Sequence, residues 1–592
     1  MMTRLLAAHR AKVLAIVLLQ FAQTTATLLL PTLNASIIDD GIVKGDTGLI
    51  LRLGGLMAGI AAAQVAAAVA AGYLSAFVAM RLGRQLRQEL FAKVQALSSQ
   101  EVGGFGATSL VTRATNDVQQ IQALAVLVFT MLVAAPAMGI GGIVLALNQD
   151  VVLSGILVAI VPMLVLIMFL IVRRLVPLYR QGQVLIDRIS RILREQIIGA
   201  NVIRAFVRQE HEIRRFRAVN RQFTRNNLSS ALLVAGMLPL IMIVVNLSSV
   251  AVVWFGGHRI QTGEMQVGAL TAFIAYILQI LIAIMMAMYV LMNAPRAAVC
   301  AERIQAVLDT EPSIADPGTV QVPAQAGSVA AGANDALAGA GAGATPGTVE
   351  FRNVSFAYPG AEAPVLDGIS FTAVPGATTA IIGATGSGKS TLLSLLPRFL
   401  DPTGGEVLLG GRDVRSVPLE QLRNSLSLVP QHAHLFSGTV AENLRIAAPE
   451  ASDAELMQAL RTAQAEDFVQ ELPDGLHAAV RQGGTNFSGG QRQRLCIARA
   501  LLRDAPVYLF DDSFSSLDYS TDARLRSALA PLIRRATVIV VAERVATILD
   551  AGLILVLSNG RVAAQGTHLE LMDASSAYRE IAASQLALGG ML

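Results

Sequence analysis

Cysteine is nearly missing from this chain. Cys300 and Cys496 are the only two in 592 residues, and they lie far apart. That excludes a disulfide framework and a cysteine-based metal pair. Lysine is almost as scarce: Lys12, Lys44, Lys93 and Lys389 are the four, so 42 of the 46 basic residues are arginine. This bias fits a GC-rich, bacterial genome. Charge as a whole is short, at 15% of residues against about 25% in an average soluble domain. A disordered chain is excluded, because disorder needs high charge and low hydrophobicity, whereas 53% of these residues are hydrophobic. A soluble nucleic-acid binder is excluded too: the net charge is only +4 and the chain is largely hydrophobic.

What is present is long apolar runs. Six stretches contain no Asp, Glu, Lys or Arg: Val13–Ile38, Leu53–Met80, Val118–Gln149, Val151–Val172, Asn226–His258 and Met265–Pro295. Each has at least 22 residues, and a helix needs about 20 to cross a bilayer core. Six transmembrane helices are predicted. The first run exceeds a signal-peptide core of about 7–15 residues and is expected to stay in the mature protein. Basic residues cluster beside the spans on one side: Arg4, Arg10 and Lys12, then Arg81 to Arg113, then thirteen arginines from Arg173 to Arg225. The other side has Lys44, Arg52 and Arg259. The positive-inside rule places both termini and the two long loops in the cytoplasm, in a bacterial inner (cytoplasmic) membrane. Those loops keep helical periodicity over Met80–Leu97 and Ile186–Phe223, broken at residues 103–106 and 198–201.

The chain then changes character. Residues 1–315 form the predicted six-span domain. Residues 316–347 are rich in Ala, Gly and Pro and read as a flexible linker. Residues 348–592 alternate strand-like runs and helices, as an α/β domain does.

The α/β region contains a phosphate-binding pattern. Gly383, Ala384, Thr385, Gly386, Ser387, Gly388, Lys389, Ser390 and Thr391 match G-x-x-x-x-G-K-[ST]. An apolar run precedes them and a helical one follows. Backbone N–H groups and the helix start would hold phosphates, Lys389 would reach the β and γ phosphates, and Ser390 would face Mg²⁺. Farther on, Val507–Phe510 read as a buried strand with Asp511 and Asp512 at its carboxyl end, where ligands bind in parallel sheets. Asp511 would hold Mg²⁺ through water.

The segment Asn486-Phe-Ser-Gly-Gly-Gln-Arg-Gln-Arg494 resembles the signature motif of the ATP-binding-cassette (ABC) family, and with the phosphate loop and Asp511 it identifies the chain as similar to that family over essentially its whole length. The resemblance implies further roles: Tyr358 stacking on adenine, Gln431 as the Q-loop residue near Mg²⁺, and Asp518 in the D-loop. It implies a half-transporter of the exporter type: six transmembrane helices followed by one ABC nucleotide-binding domain, using ATP and Mg²⁺. It also implies a domain-swapped dimer, with short coupling helices near Val102–Ser109 and Arg204–His211. Ser488, Gly489, Gly490 and Gln491 would then serve the partner's ATP.

Two positions depart from the family pattern. The glutamate expected after the Mg²⁺ aspartate is Asp512, one methylene shorter. The switch histidine expected after the next strand is Glu543. A displacement of about 1 Å can cost ~100-fold in rate. An ionised Glu543 would repel the γ-phosphate by about 3 kcal/mol at 5 Å and an effective dielectric of 20, whereas a protonated one would donate a hydrogen bond. Gln482 also stands where this exporter family has a glutamate. The binding positions stay intact. The expected protein is therefore a degenerate-site subunit paired with a second ABC half-transporter that has the catalytic Glu and His. Its cargo would be a small hydrophobic or amphiphilic compound, a drug or lipid, because no charged residue lies inside the runs. Import of a siderophore or lipid, or ATP gating by a regulatory subunit, are the alternatives. Polar residues in the spans, such as Gln20, Tyr276 and Gln279, would line a cavity or bond helix to helix.

Overall fold

The computed structural model describes residues 9–317 and 345–589. The described chain divides into two compact units. The first comprises the described residues up to Ala96 together with Phe105–Glu311. The second comprises Leu97–Gly104 and the described residues from Pro312 onward. Most of the linker predicted over 316–347 lies outside the described residues. Asp316 itself accepts a hydrogen bond from the Leu419 amide at 3.3 Å.

Six long apolar helical spans make the first unit: Arg10–Ile42, Thr47–Ala96, Ala107–Gln149, Val151–Ile198, Gln209–Gln261 and Val267–Asp309. Five contain a whole charge-free run, and the sixth takes in its run from Val267 onward. They extend well past those runs, five of them reaching 43 to 53 residues. At 1.5 Å per residue such a helix is about twice as long as the ~30 Å hydrocarbon core is thick. Large apolar side chains remain exposed along them, Leu18, Phe21, Leu166 and Trp254 among others, as lipid-facing positions require.

Buried polar residues join the spans. Tyr276 is fully buried; its hydroxyl lies 2.5 Å from that of Thr32 and donates to the Leu28 carbonyl at 3.3 Å. Gln279 donates to the Thr27 carbonyl at 3.1 Å. These tie the sixth span to the first, so Tyr276 and Gln279 follow the helix-to-helix reading. Asp150 caps the fourth span by accepting from the Leu153 amide at 2.8 Å, and it pairs with Arg259 at 3.1 Å.

The two short loop helices are Ser99–Phe105 and Ala200–Ala205. Both end upstream of the positions expected, near Val102–Ser109 and Arg204–His211, and the reason is local backbone. Gly106 at φ +77° stops the first, and Val207 at φ +55° follows the second. A β-branched residue there is unusual; the Arg208 amide bonds the Ile203 carbonyl at 2.9 Å and closes the turn.

The second unit holds two large sheets and one small one among the described residues. An antiparallel sheet runs in the order β2-β1-β4-β5, with β1 Val349–Phe356, β2 Leu366–Ala373, β4 Gly404–Leu409 and β5 Arg412–Asp413. The larger sheet runs β12-β11-β3-β10-β9-β6. Its strands are β3 Thr378–Gly383, β6 Leu426–Val429, β9 Val507–Asp511, β10 Thr537–Val541, β11 Leu553–Ser558 and β12 Arg561–Gly566. All its pairings are parallel except β11 with β12. β7 (Gly438–Thr439) and β8 (Ala479–Val480) form a small separate pair.

The parallel strands are buried on both faces. Tyr508, Phe510, Val538 and Val540 enter one apolar cluster, while Val507, Leu509, Ile539 and Val541 enter the other with the β1–β2 sheet. This period of two holds the carboxyl ends of the strands in register.

Candidate functional site at the carboxyl edge of the parallel sheet

Four neighbouring strands end on the same edge. The phosphate loop follows β3, Glu543 follows β10, Asp511 ends β9 with Asp512 directly after it, and Gln431 follows β6. Val541 pairs with both Ile381 and Asp511, and Val429 pairs with Phe510. Segments distant in sequence are thus brought together by strand register alone.

The loop geometry accounts for its glycines. Gly386 and Gly388 have φ of +83° and +97°, a region glycine enters without penalty. A Cβ on Gly383 would meet the Leu557 carbonyl oxygen. From Gly388 the chain enters α1 (Lys389–Leu395), whose first amides lack intrahelical partners. Lys389 is buried and donates to the carbonyls of Gly383 and Ala384 at 2.8 and 2.9 Å. The Ser387 hydroxyl is buried with no hydrogen-bond partner among the described residues. A narrow glycine cradle, one orphaned donor and a cation held only by carbonyls fit a polyphosphate.

Ser390 donates to Asp511 at 2.9 Å. Hydroxyl and carboxylate oxygens are the hard donors that Mg²⁺ takes, alongside phosphate and water, so this pair fits the cation. Burial pushes the Asp511 carboxyl above its ordinary range, and Asp512 adds to the rise while Ser390 opposes it. A divalent cation would offset that cost. Tyr358 is 40% exposed, with its ring edge-on to Phe356 at 4.9 Å and its hydroxyl 3.3 Å from that of Thr391. A largely open aromatic face beside the loop suits a base.

Asp512 has φ +45°. Aspartate tolerates this left-handed region better than most residues. Its amide donates to the Val541 carbonyl at 3.0 Å and its carbonyl accepts from Ser515 at 2.9 Å. Burial raises the Asp512 carboxyl; Ser515 and Gln431 lower it, and the charge of Glu543 raises it further. Gln431, Asp512 and Glu543 therefore form one electrostatic group, with two acids where the pattern has one acid and one base.

The signature and D-loop residues do different work within this chain. Ser488 caps α2 (Gly489–Leu501) in a reciprocal box with Gln491: the Ser488 hydroxyl accepts from the Gln491 amide, and the Gln491 side chain accepts from the Ser488 amide. Among the described residues no hydrogen bond joins Ser488, Gly489, Gly490 or Gln491 to the phosphate loop. Asp518 caps α3 (Tyr519–Ile533), accepting from the Thr521 amide at 3.0 Å, and hydrogen bonds from Ser520 and Thr521 hold its carboxyl well below the ordinary range.

Two contacts here carry no sequence signal. Buried Ser513 donates to the Val429 carbonyl at 3.2 Å and ties β9 to the Gln431 segment. Arg544 donates to the Ser515 carbonyl at 3.0 Å and the Leu517 carbonyl at 3.4 Å. Serine and arginine are common enough that only tertiary placement distinguishes them.

Comparison with known proteins agrees with this fold. Residues 13–285 match the family profile described as the ABC transporter transmembrane region, and residues 366–515 match the one described as ABC transporter. The chain is 44% identical to an uncharacterised ABC transporter ATP-binding protein of Mycobacterium tuberculosis, over 98% of this chain and 96% of the relative. It is 32% identical to the ATP-dependent lipid A-core flippase of Chromobacterium violaceum, over 92% and 90%. A solved bacterial Atm1-family ABC exporter with ATP bound superposes with a TM-score of 0.77 at 25% identity, covering 98% of this chain and 99% of that one. With six apolar spans followed by one phosphate-loop domain over its full length, the chain belongs to the ABC transporter family as a half-size, ATP-using exporter.

Proposed function

We propose that this chain is the degenerate-site subunit of a heterodimeric ABC exporter that moves a hydrophobic or amphiphilic compound, a lipid or drug, across a bacterial inner membrane with both termini cytoplasmic. The observation that carries the reading is the placement of Asp512 and Glu543 just past the ends of the paired strands β9 and β10, with the Asp512 amide bonded to the Val541 carbonyl at 3.0 Å. The phosphate loop, Ser390, Asp511 and Tyr358 keep a geometry suited to Mg²⁺ and ATP.

In this reading ATP binds between this chain's phosphate loop and a partner's signature. Lys389 turns from its loop carbonyls to the phosphates, and the loop amides take up negative charge. The group meant to take a proton from the attacking water is Asp512. It is short by one methylene, and burial raises its carboxyl above the ordinary range, so hydrolysis here is slow. Ser488, Gly489 and Gly490 cap the ATP in the partner's site, where an intact Glu and His do the chemistry.

Exposure around the second loop helix supports a partner. Ile197, Ile198, Val202, Phe206 and Val207 are large, apolar and 60–81% exposed, and exposed apolar clusters outside a membrane mark interaction sites. The flippase among the relatives supports lipid-like cargo, and so do six spans whose charge-free runs give no ion relay.

The test is to tag the chain, extract it from its native membrane and weigh the complex. A second half-transporter carrying Glu and His at the matching positions, with ATPase in nanodiscs only when both chains are present, is expected. A pure homodimer with turnover typical of intact exporters overturns the reading. Proteoliposomes holding the pair then report cargo direction, and uptake toward the nucleotide side would replace export with import.

A further inference from the structure

The segment that carries Glu543 has little strand support. It leaves β10 at Val541 and enters a turn at Val545–Thr547; the Ala542 amide still bonds the Ile381 carbonyl at 3.0 Å. After that a single side chain takes over. Gln585, on the last helix, Ser576–Gly589, donates from Nε2 to the Glu543 carbonyl at 2.6 Å and accepts on Oε1 from the Val545 amide at 2.7 Å. Only one orientation of the amide satisfies both, because a carbonyl can only accept and a backbone amide can only donate. The side chain thereby acts as a short piece of β-strand bracketing residue 544.

Arg544 lies between the two bracketed groups, and its direction is set by them. Its guanidinium donates to the Ser515 and Leu517 carbonyls and stands 5.2 Å from the centre of the Tyr519 ring. Ser515 in turn holds the Asp512 carbonyl. Farther along, Arg526 on α3 donates to the Ala546 carbonyl at 3.1 Å. One glutamine is therefore linked to both acids of the site: directly through the Glu543 backbone, and to Asp512 through Arg544 and the 515–519 loop.

We propose that Gln585 is a positioning residue for ATP turnover, a clamp on the last helix that fixes the Glu543 segment and, through Arg544, the 515–519 loop beside Asp512. The proposal rests on the reading of Asp512 and Glu543 as the hydrolytic positions. It places control of the switch in a helix that contributes nothing to phosphate binding, so nucleotide affinity and turnover should separate.

Gln585→Met tests this, because methionine keeps the length and packing and removes both polar atoms. The full chain, in nanodiscs with whatever partner copurifies, is expected to bind a fluorescent ATP analogue within about twofold of the parent while turnover at its own site, read by single-turnover hydrolysis with the partner's phosphate-loop lysine replaced, falls about tenfold, as two lost hydrogen bonds allow. Amide exchange measured without nucleotide is expected to quicken in peptides covering both 542–548 and 513–519. Arg544→Lys leaves the terminal helix untouched and is expected to quicken 513–519 alone; combined with Gln585→Met it should add nothing further there. Unchanged exchange in 513–519 for both single variants overturns the clamp, as does a Gln585→Met loss that falls on affinity rather than turnover. If exchange changes as expected and turnover does not, the clamp stands and the assignment of Asp512 and Glu543 as hydrolytic positions fails instead.

Discussion

The two ends of the nucleotide site obey different rules. At the phosphate loop each residue has the type and backbone its chemistry asks for: Gly386 and Gly388 in the left-handed region, Lys389 folded onto carbonyls, Ser390 against Asp511. At the far end, Asp512 and Glu543 follow the neighbouring strands β9 and β10 and set two acids on one sheet edge. In the proposed reading binding and hydrolysis are separable within one domain. Binding would draw on many amides and one lysine, whereas hydrolysis would depend on two side chains that can be lost without disturbing the cradle.

The largest expected effect comes from repairing the hydrolytic end. Asp512→Glu with Glu543→His should raise turnover at this chain's own site by about 100-fold, the scale set by a misplaced general base. Single-turnover hydrolysis, with the partner's phosphate-loop lysine replaced, isolates that site; an unchanged rate would mean these two positions are not what limits it. Asp512 sits at φ +45°, so glutamate gains reach at some backbone cost, and the gain should stay below that of an enzyme built around glutamate.

The binding end gives the next effect. Lys389→Ala should weaken ATP by about 10- to 100-fold, since a charge-assisted bond contributes about 1.5–3 kcal/mol, with the spans' thermal stability unchanged. Tyr358→Leu should weaken it only a few-fold, as an aromatic stack contributes about 0.5–1.5 kcal/mol beyond area. Titration of a fluorescent nucleotide reads both. If Tyr358→Leu costs more than Lys389→Ala, the base rather than the phosphates anchors the ligand.

How much of this is legible in sequence depends on distance along the chain. The six spans are readable because bilayer thickness imposes a run length, and the phosphate loop because its chemistry is local. The sheet edge is readable only in part: Asp511 ends an apolar run, but nothing in sequence says that β10 lies between β3 and β9. Gln585 and Arg544 are invisible, since neither belongs to a pattern and their partners lie 42 and 29 residues away. The short loop helices are displaced from their expected positions because backbone conformation at Gly106 and Val207 sets their ends, and periodicity does not report it.

The smallest effect is the most specific to the pairing of acids. Burial, then the Glu543 charge, raises the Asp512 carboxyl, so a neutral Asp512 persists to higher pH than an ordinary aspartate and cannot take a proton from water. Turnover should fall on acidification, beginning above the usual aspartate range. Glu543→Gln removes the neighbouring charge but leaves burial, so the acid limb should move to lower pH without reaching that of an exposed aspartate. Stability follows the opposite sign. A raised carboxyl favours folding while protonated, and that contribution is lost as pH rises from the unfolded value through the folded one. The Glu543→Gln variant should lose less over that window, giving a flatter melting profile between mildly acidic and neutral pH. A limb that stays put would show that burial alone sets Asp512, and the two acids would no longer count as a coupled pair.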